Sequence, residues 1–199
     1  GKDNEASEQS GSDTKEATAP ESNAGEDSKV EEKSEAEDNS EVEFVTMNFG
    51  YINMKVPNVF GDVTEANGVY VSAGPDASIT VSPAMKVTAL PEQWNENELE
   101  GTLPAAYGSA FTNLELGAFD NNVNMNGNAA VYYGLYGTSS AGKEYLVQVV
   151  TLYNADLTAQ YTISLIHASG DEFFTAEVGS EILNSITLAE EAQNLVAEG

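Results

Sequence analysis

His167 is the chain's only histidine, so it is the one side chain whose ordinary pKa puts a charge change between pH 5 and 8. Ser169 and Asp171 follow closely, which supplies the residue types of a nucleophile, a base and an orienting acid. Their spacing argues against that chemistry. Residues at one end of an extended strand do not converge, and no G-x-S-x-G turn is present to expose a nucleophile. His167 therefore reads as a strand-end histidine with ordinary hydrogen bonds. Zinc chemistry is as poorly provided for. One His and no Cys would leave carboxylates to supply the remaining ligands. No cofactor is expected, because neither phosphate-cradling glycine motif, G-x-x-x-x-G-K-[ST] or G-x-G-x-x-G, occurs.

Two further constellations carry possible chemistry. A carboxylate-based hydrolase would draw its acid and base from Glu92, Glu96, Glu98, Glu100, Glu115 or Asp120, and nothing in their spacing singles out a pair. The polar run Asp120–Asn128 invites a calcium reading with Asp120 as its one charged ligand. Neither EF-hand register fits: from Asp120, Met125 falls at position 6 and Val131 at 12; from Asn122, Gly127 falls correctly but Tyr133 occupies position 12. A hairpin turn at Asn126-Gly127 is the simpler account, since both residues tolerate positive φ. The candidate ligand-binding residues are aromatic. Trp94, Tyr107, Tyr132 and Tyr136, with Tyr133, could line a shallow groove for a sugar or peptide, or could fill the space between a helix and a sheet.

The elements that would position these residues centre on three strand-like runs, Ala129–Ser139, Glu144–Tyr153 and Ala159–His167. Their Val, Tyr, Ile, Leu and Thr content suits a pleated surface, and they read as an antiparallel meander in the middle of one sheet. Side chains alternate between faces, so Tyr145, Val147, Val149 and Tyr153 oppose Leu146, Val150 and Leu152. Both sets are apolar. A sheet with one wet face would alternate apolar with polar, so covers are expected on both sides. Ahead of the meander, Phe44–Met47 and Ile52–Val56 read as strands around Gly50, and Gly68–Ala73 with Ala77–Pro83 as a hairpin nearer an edge. Leu114–Asp120 is a weaker strand. Asn95 is a candidate N-cap for a helix through Leu99, Leu103 and Ala110 that Pro104 must kink or restart. Asp171 is a candidate N-cap for a second helix running from Phe173 or Phe174 to Ser185 or Ile186.

Composition divides the chain. Residues 1–43 hold 15 acidic residues, 4 Lys, no aromatic and two large aliphatics, Val30 and Val42. Such a segment cannot bury enough apolar surface to offset its ordering entropy, so it is expected to be a disordered acidic linker. Residues 44–188 are expected to form the domain, and 189–199 a flexible tail. The net charge is −26 and there is no Arg. Nucleic acids and anionic lipid headgroups are recognised by Lys and Arg, so neither is an expected partner. No apolar run is long enough to cross a membrane. A chain opening at Gly1 on an acidic, Ser-rich stretch reads as processed, with a signal peptide removed at a lipid-modified Cys just upstream. About forty flexible residues span roughly 35 Å, enough to hold a domain clear of a membrane.

The run Ile52-Asn-Met-Lys-Val-Pro57, the strand Ala77–Val81, the tyrosine-bearing strands at Tyr132, Tyr145 and Tyr161 and the closing Glu181-Ile-Leu-Asn-Ser-Ile186 resemble PsbP-like domains. That family takes in the extrinsic P protein of photosystem II, a yeast import factor that binds the Ran GTPase, and bacterial lipoproteins of unassigned activity. Val59-Phe60 stands where such domains often carry a Trp. The resemblance implies an α+β fold, an antiparallel sheet of about six strands covered by helices on both faces, and it implies no site residues. The expected protein is a monomeric, non-catalytic binding or assembly module: a cell-surface lipoprotein outside a bacterial cell, acting on an envelope protein or cell-wall glycan. The alternative is a carboxylate-based hydrolase or calcium-dependent binder acting on envelope polysaccharide.

Overall fold

The computed structural model describes residues 42–170 and 174–198. The chain divides into Gly1–Glu43 and Phe44–Gly199, and the second unit is described here by itself. Its sheet runs through the expected meander. β7 (Asn128–Ser139), β8 (Glu144–Tyr153) and β9 (Gln160–Ala168) pair antiparallel in sequence order. On the β9 side the sheet continues through β5 (Ala77–Val81), β4 (Val69–Gly74) and the short β3 (Thr64–Ala66). On the β7 side it ends with β6 (Phe111–Met125). The sheet has seven strands in the order β3-β4-β5-β9-β8-β7-β6, one more than the six expected. The β4–β5 hairpin lies toward one edge as expected, with only the short β3 outside it, and β5 pairs with β9 on its inner side.

A second sheet was not expected. β1 (Phe44–Phe49) and β2 (Ile52–Pro57) form a hairpin that leaves the main sheet, and β10 (Thr187–Leu188) joins it in the order β1-β2-β10. Two residues are too few to show a period, so β10 left no pattern to read.

Both faces of the large sheet are covered. α1 (Glu96–Tyr107) lies on one side, where Leu99 and Leu103 meet Leu135, Val147 and Val149. Asn95 caps it by accepting a hydrogen bond from Glu98 N at 3.1 Å. Pro104 sits in the last helical turn, where the helix is already ending at Gly108, so no second helix begins there. α2 (Ala176–Asn184) lies on the other side with the small sheet. Its cap is Thr175, whose hydroxyl accepts from Val178 N at 3.3 Å; the expected cap, Asp171, and Phe173 fall outside the described residues. Gly179 lets α2 approach the sheet closely, since a Cβ there would stand 3.2 Å from Gln148 Nε2 and 3.3 Å from the Phe174 ring. Among the described residues no helix is long and apolar enough to cross a membrane.

The segment after Leu188, expected to be a flexible tail, is instead built into the domain. Glu190–Ala192 forms a 3-10 turn and Ala192 is fully buried. The reason is a set of amide hydrogen bonds. Asn154 Nδ2 donates to Ala192 O and Leu195 O, Thr158 Oγ1 donates to Leu195 O, and Ala197 N donates to Thr158 O. Bonds between distant amides leave no hydrophobic period in the sequence.

Candidate functional site

The four aromatic candidates do not form one groove. Strand alternation sends them to opposite faces. Trp94 and Tyr107 lie on the α1 side, packed with Tyr133 against the core beneath that helix. Trp94 Nε1 donates to Tyr153 Oη at 2.8 Å, Tyr153 Oη donates to Ala89 O at 2.5 Å, and the Trp94 and Tyr133 rings are 6.3 Å apart. Tyr132 and Tyr136 point to the α2 side, each laid against a glycine. A Cβ on Gly134 would stand 3.3 Å from Tyr132 Oη, and one on Gly117 would overlap the Tyr136 ring. Tyr132 Oη lies 3.3 Å from Gln148 Oε1 and donates to it. Burial pushes the Tyr132 and Tyr133 phenols up to about 12, each helped by a neighbouring tyrosine, Tyr136 and Tyr107 respectively. Of the four candidates, Tyr136, at 57 % exposure, is the one open to a ligand.

The polar candidates are engaged structurally. Asp120 Oδ1 accepts from Asn122 N at 2.9 Å, and Asn126-Gly127 make the β6–β7 turn with φ values of 53° and 98°. The Asp120–Asn128 run is thus strand and tight hairpin. His167 is buried and stacked on Phe174, ring centroids 3.9 Å apart, with Nδ1 3.2 Å from Ala168 O. Glu92, Glu96, Glu98, Glu100, Glu115 and Asp120 are all exposed at the surface. No group of three or more His, Cys, Asp or Glu that could hold a metal occurs among the described residues.

Among the described residues a shallow, open depression lies at the end of the sheet where the β6–β7 and β8–β9 turns meet. Two open lobes of about 250 and 400 Å³ share Asn122, Val123, Ala129 and Leu157. The smaller lobe is completed by Pro91, Glu92 and Asn121, and the larger by Asn124, Gly127, Asn128, Asn154 and Ala155. A β-bulge between Asp120 and Val123 re-aims the strand that lines both lobes.

Leu157 stands out in this depression. Its φ is +59°, and its side chain is 39 % exposed. The loop that carries it is held from several directions. Leu157 N donates to Asn154 O, while Asn154 Oδ1 accepts from Thr158 N at 2.9 Å and Ala159 N at 3.1 Å. Asp156 N donates to Gln193 O and Ala155 N to Gln193 Oε1. Gln193 also exchanges amide hydrogen bonds with Asn128, at 2.8 and 3.2 Å. The C-terminal segment is thus a clamp on this loop. Leu157 carries no sequence signal, because left-handed positions are usually marked by Gly or Asn.

No protein-family model and no curated protein matches the chain. Among solved structures, a point mutant of protein Mog1 is 14 % identical, with a TM-score of 0.50, the match covering 76 % of this chain and 97 % of that one. The Saccharomyces cerevisiae Ran-binding protein Mog1p gives 14 % identity over the same shares with a TM-score of 0.49. The cyanobacterial PsbP of Synechocystis sp. PCC 6803 gives 11 % identity and 0.45, with 74 % of this chain and 92 % of that one covered. At these identities the likeness concerns the fold. The domain is an α+β fold of the Mog1-like kind, which agrees with the architecture implied by the sequence resemblance.

Proposed function

We propose that this protein is a non-catalytic binding module that stands outside a bacterial cell on its acidic N-terminal segment. It engages a protein or glycan of the envelope through the depression at the sheet end. The observation that carries the reading is Leu157, an apolar side chain kept partly exposed on a hydrogen-bonded loop inside the open depression at the sheet end. Apolar walls with a few fixed polar groups are the usual make-up of a binding site. The composition of residues 1–43 supports the tether, since a segment so poor in apolar residues suits a spacer better than a core.

The test is site-specific photo-cross-linking in cells. A photoreactive residue at Ala155, in the larger lobe, is expected to capture an envelope protein or wall glycan, and one at Glu98, on the exposed face of α1, to capture neither. Equal capture from both positions would refute the site. Recovery of the native protein from the cytosol would refute the compartment.

A further inference from the structure

We infer that the depression binds a short basic peptide segment of a partner protein, with Leu157 as the apolar anchor; this rests on the binding-module reading above. A bulky residue with φ near +59° is a backbone outlier. Hairpin corners that need this conformation ordinarily use Gly or Asn. Strained residues persist where their surroundings over-determine them and are concentrated at ligand clamps. The hydrogen bonds from Asn154, Gln193 and Leu195 supply that over-determination. Their effect is to hold a leucine at the surface in an open depression it shares with Val123, Ala129 and Pro91.

Charge then selects the occupant. Glu92 is the charged residue among those lining the depression, and no Lys or Arg lines it. Asp120 is the neighbour whose carboxylate bonds Asn122, and Asp156 precedes Leu157 on the loop. Across residues 44–199 there are 18 acidic residues against 3 Lys. Such a surface draws cationic segments and repels anionic ones. Asn122, exposed beside the apolar patch, provides a side-chain amide donor and acceptor suited to an extended peptide backbone, while the Asn121 amide donates inward to Trp94 O. A peptide alternating Lys or Arg with leucine-like residues meets these demands together.

The experiment uses the full chain, isotope-labelled, and follows amide shifts by NMR at physiological salt. Three probes are titrated separately: acetyl-Lys-Leu-Lys-Leu-Lys-amide, its glutamate counterpart, and chitopentaose. The lysine peptide is expected to shift residues 122–129 and 155–158, and the other two probes to leave them in place. Leu157→Asn is expected to weaken that binding at least tenfold. Because Asn accepts the left-handed conformation, the relieved backbone and the lost apolar contact roughly cancel, so its Tm stays within about 4 °C of the parent. Glu92→Gln, a change on an exposed side chain, is expected to weaken binding severalfold. Any of these results would overturn the inference: shifts spreading over Glu96, Glu98 and Glu100 on α1, shifts from chitopentaose or the glutamate peptide in place of the lysine peptide, undiminished binding by Leu157→Asn, or a larger fall in its Tm, which would make Leu157 a packing residue. Silence from all three probes would also overturn it, while cross-linking from Ala155 would still decide the binding-module reading independently.

Discussion

The α1 side of the sheet and the sheet end are held by different forces. Beneath α1, aromatic and aliphatic side chains close on one another, and the polar atoms there serve each other, as Trp94 Nε1 does with Tyr153 Oη. At the sheet end amides do the holding: Asn128, Asn154 and Gln193 tie three separate stretches of chain together and leave Leu157 facing outward. The first region is stable because it is filled. The second is tied by hydrogen bonds while remaining open, which suits the binding surface proposed there.

Alkali should separate the covered faces of the sheet, with Tyr133 on the α1 side and Tyr132 and Tyr161 on the α2 side, most sharply from the sheet end. Tyr132, Tyr133 and Tyr161 are held neutral up to about 12 when folded, mainly by burial, against 10.0 for an unperturbed phenol. The sign follows from the proton count. Above about pH 10 the unfolded chain releases phenolic protons that the folded chain retains, so their stabilisation is complete below about pH 10 and is lost as pH rises to about 12. We expect Tm to fall by at least about 10 °C across that interval, with tyrosinate absorbance appearing as unfolding occurs. The amides at the sheet end do not titrate. Local opening of residues 154–158, read by hydrogen exchange below about pH 10, should therefore be independent of pH once the chemical exchange rate is removed.

Leu135→Ala should cost about 3 kcal/mol in chemical denaturation, because a fully enclosed leucine leaves a cavity beneath α1. It should leave peptide binding at the sheet end unaltered. Removing residues 189–199 should reverse that pattern. A loss of about 2 kcal/mol is expected from the abandoned hydrogen bonds, with protection at Leu157 and Thr158 falling furthest. Tyr153→Phe should cost about 1 kcal/mol, since it strips the partner from Trp94 Nε1 while keeping the ring. The smallest effect is expected from Gly117→Ala, below about 1 kcal/mol, because the exposed Tyr136 ring can swing away from the new methyl. Equal responses of the two regions to these changes, followed by residue-resolved hydrogen exchange, would show that they form one cooperative unit.

The same contrast governs how much could be read from the sequence. The meander was legible to within a residue at most ends, because Val, Tyr, Ile and Leu alternate through β7, β8 and β9 and Asn126-Gly127 marks the turn before them. β6 was underestimated for a physical reason. Phe111, Leu114, Leu116 and Phe119 all reach the α1 core, yet register shifts after Phe111, Leu116 and Asp120 break the two-residue period that would reveal them. Trp94, Tyr107 and Tyr132 are partly buried packing residues and Tyr136 is exposed, and separating them required knowing that they lie on opposite faces of the sheet. The depression was invisible because it depends on asparagine and glutamine side chains meeting across distant segments, and on a leucine in a conformation that its type disfavours.

The amide clamp also fixes an order of completion during synthesis. The loop carrying Leu157 leaves the ribosome well before Gln193 and Leu195, the residues that lock it. Every strand of the large sheet precedes them too. The sheet can therefore assemble while the loop at its end is still unlocked, and the proposed binding surface is completed only once the segment through Leu195 has been made.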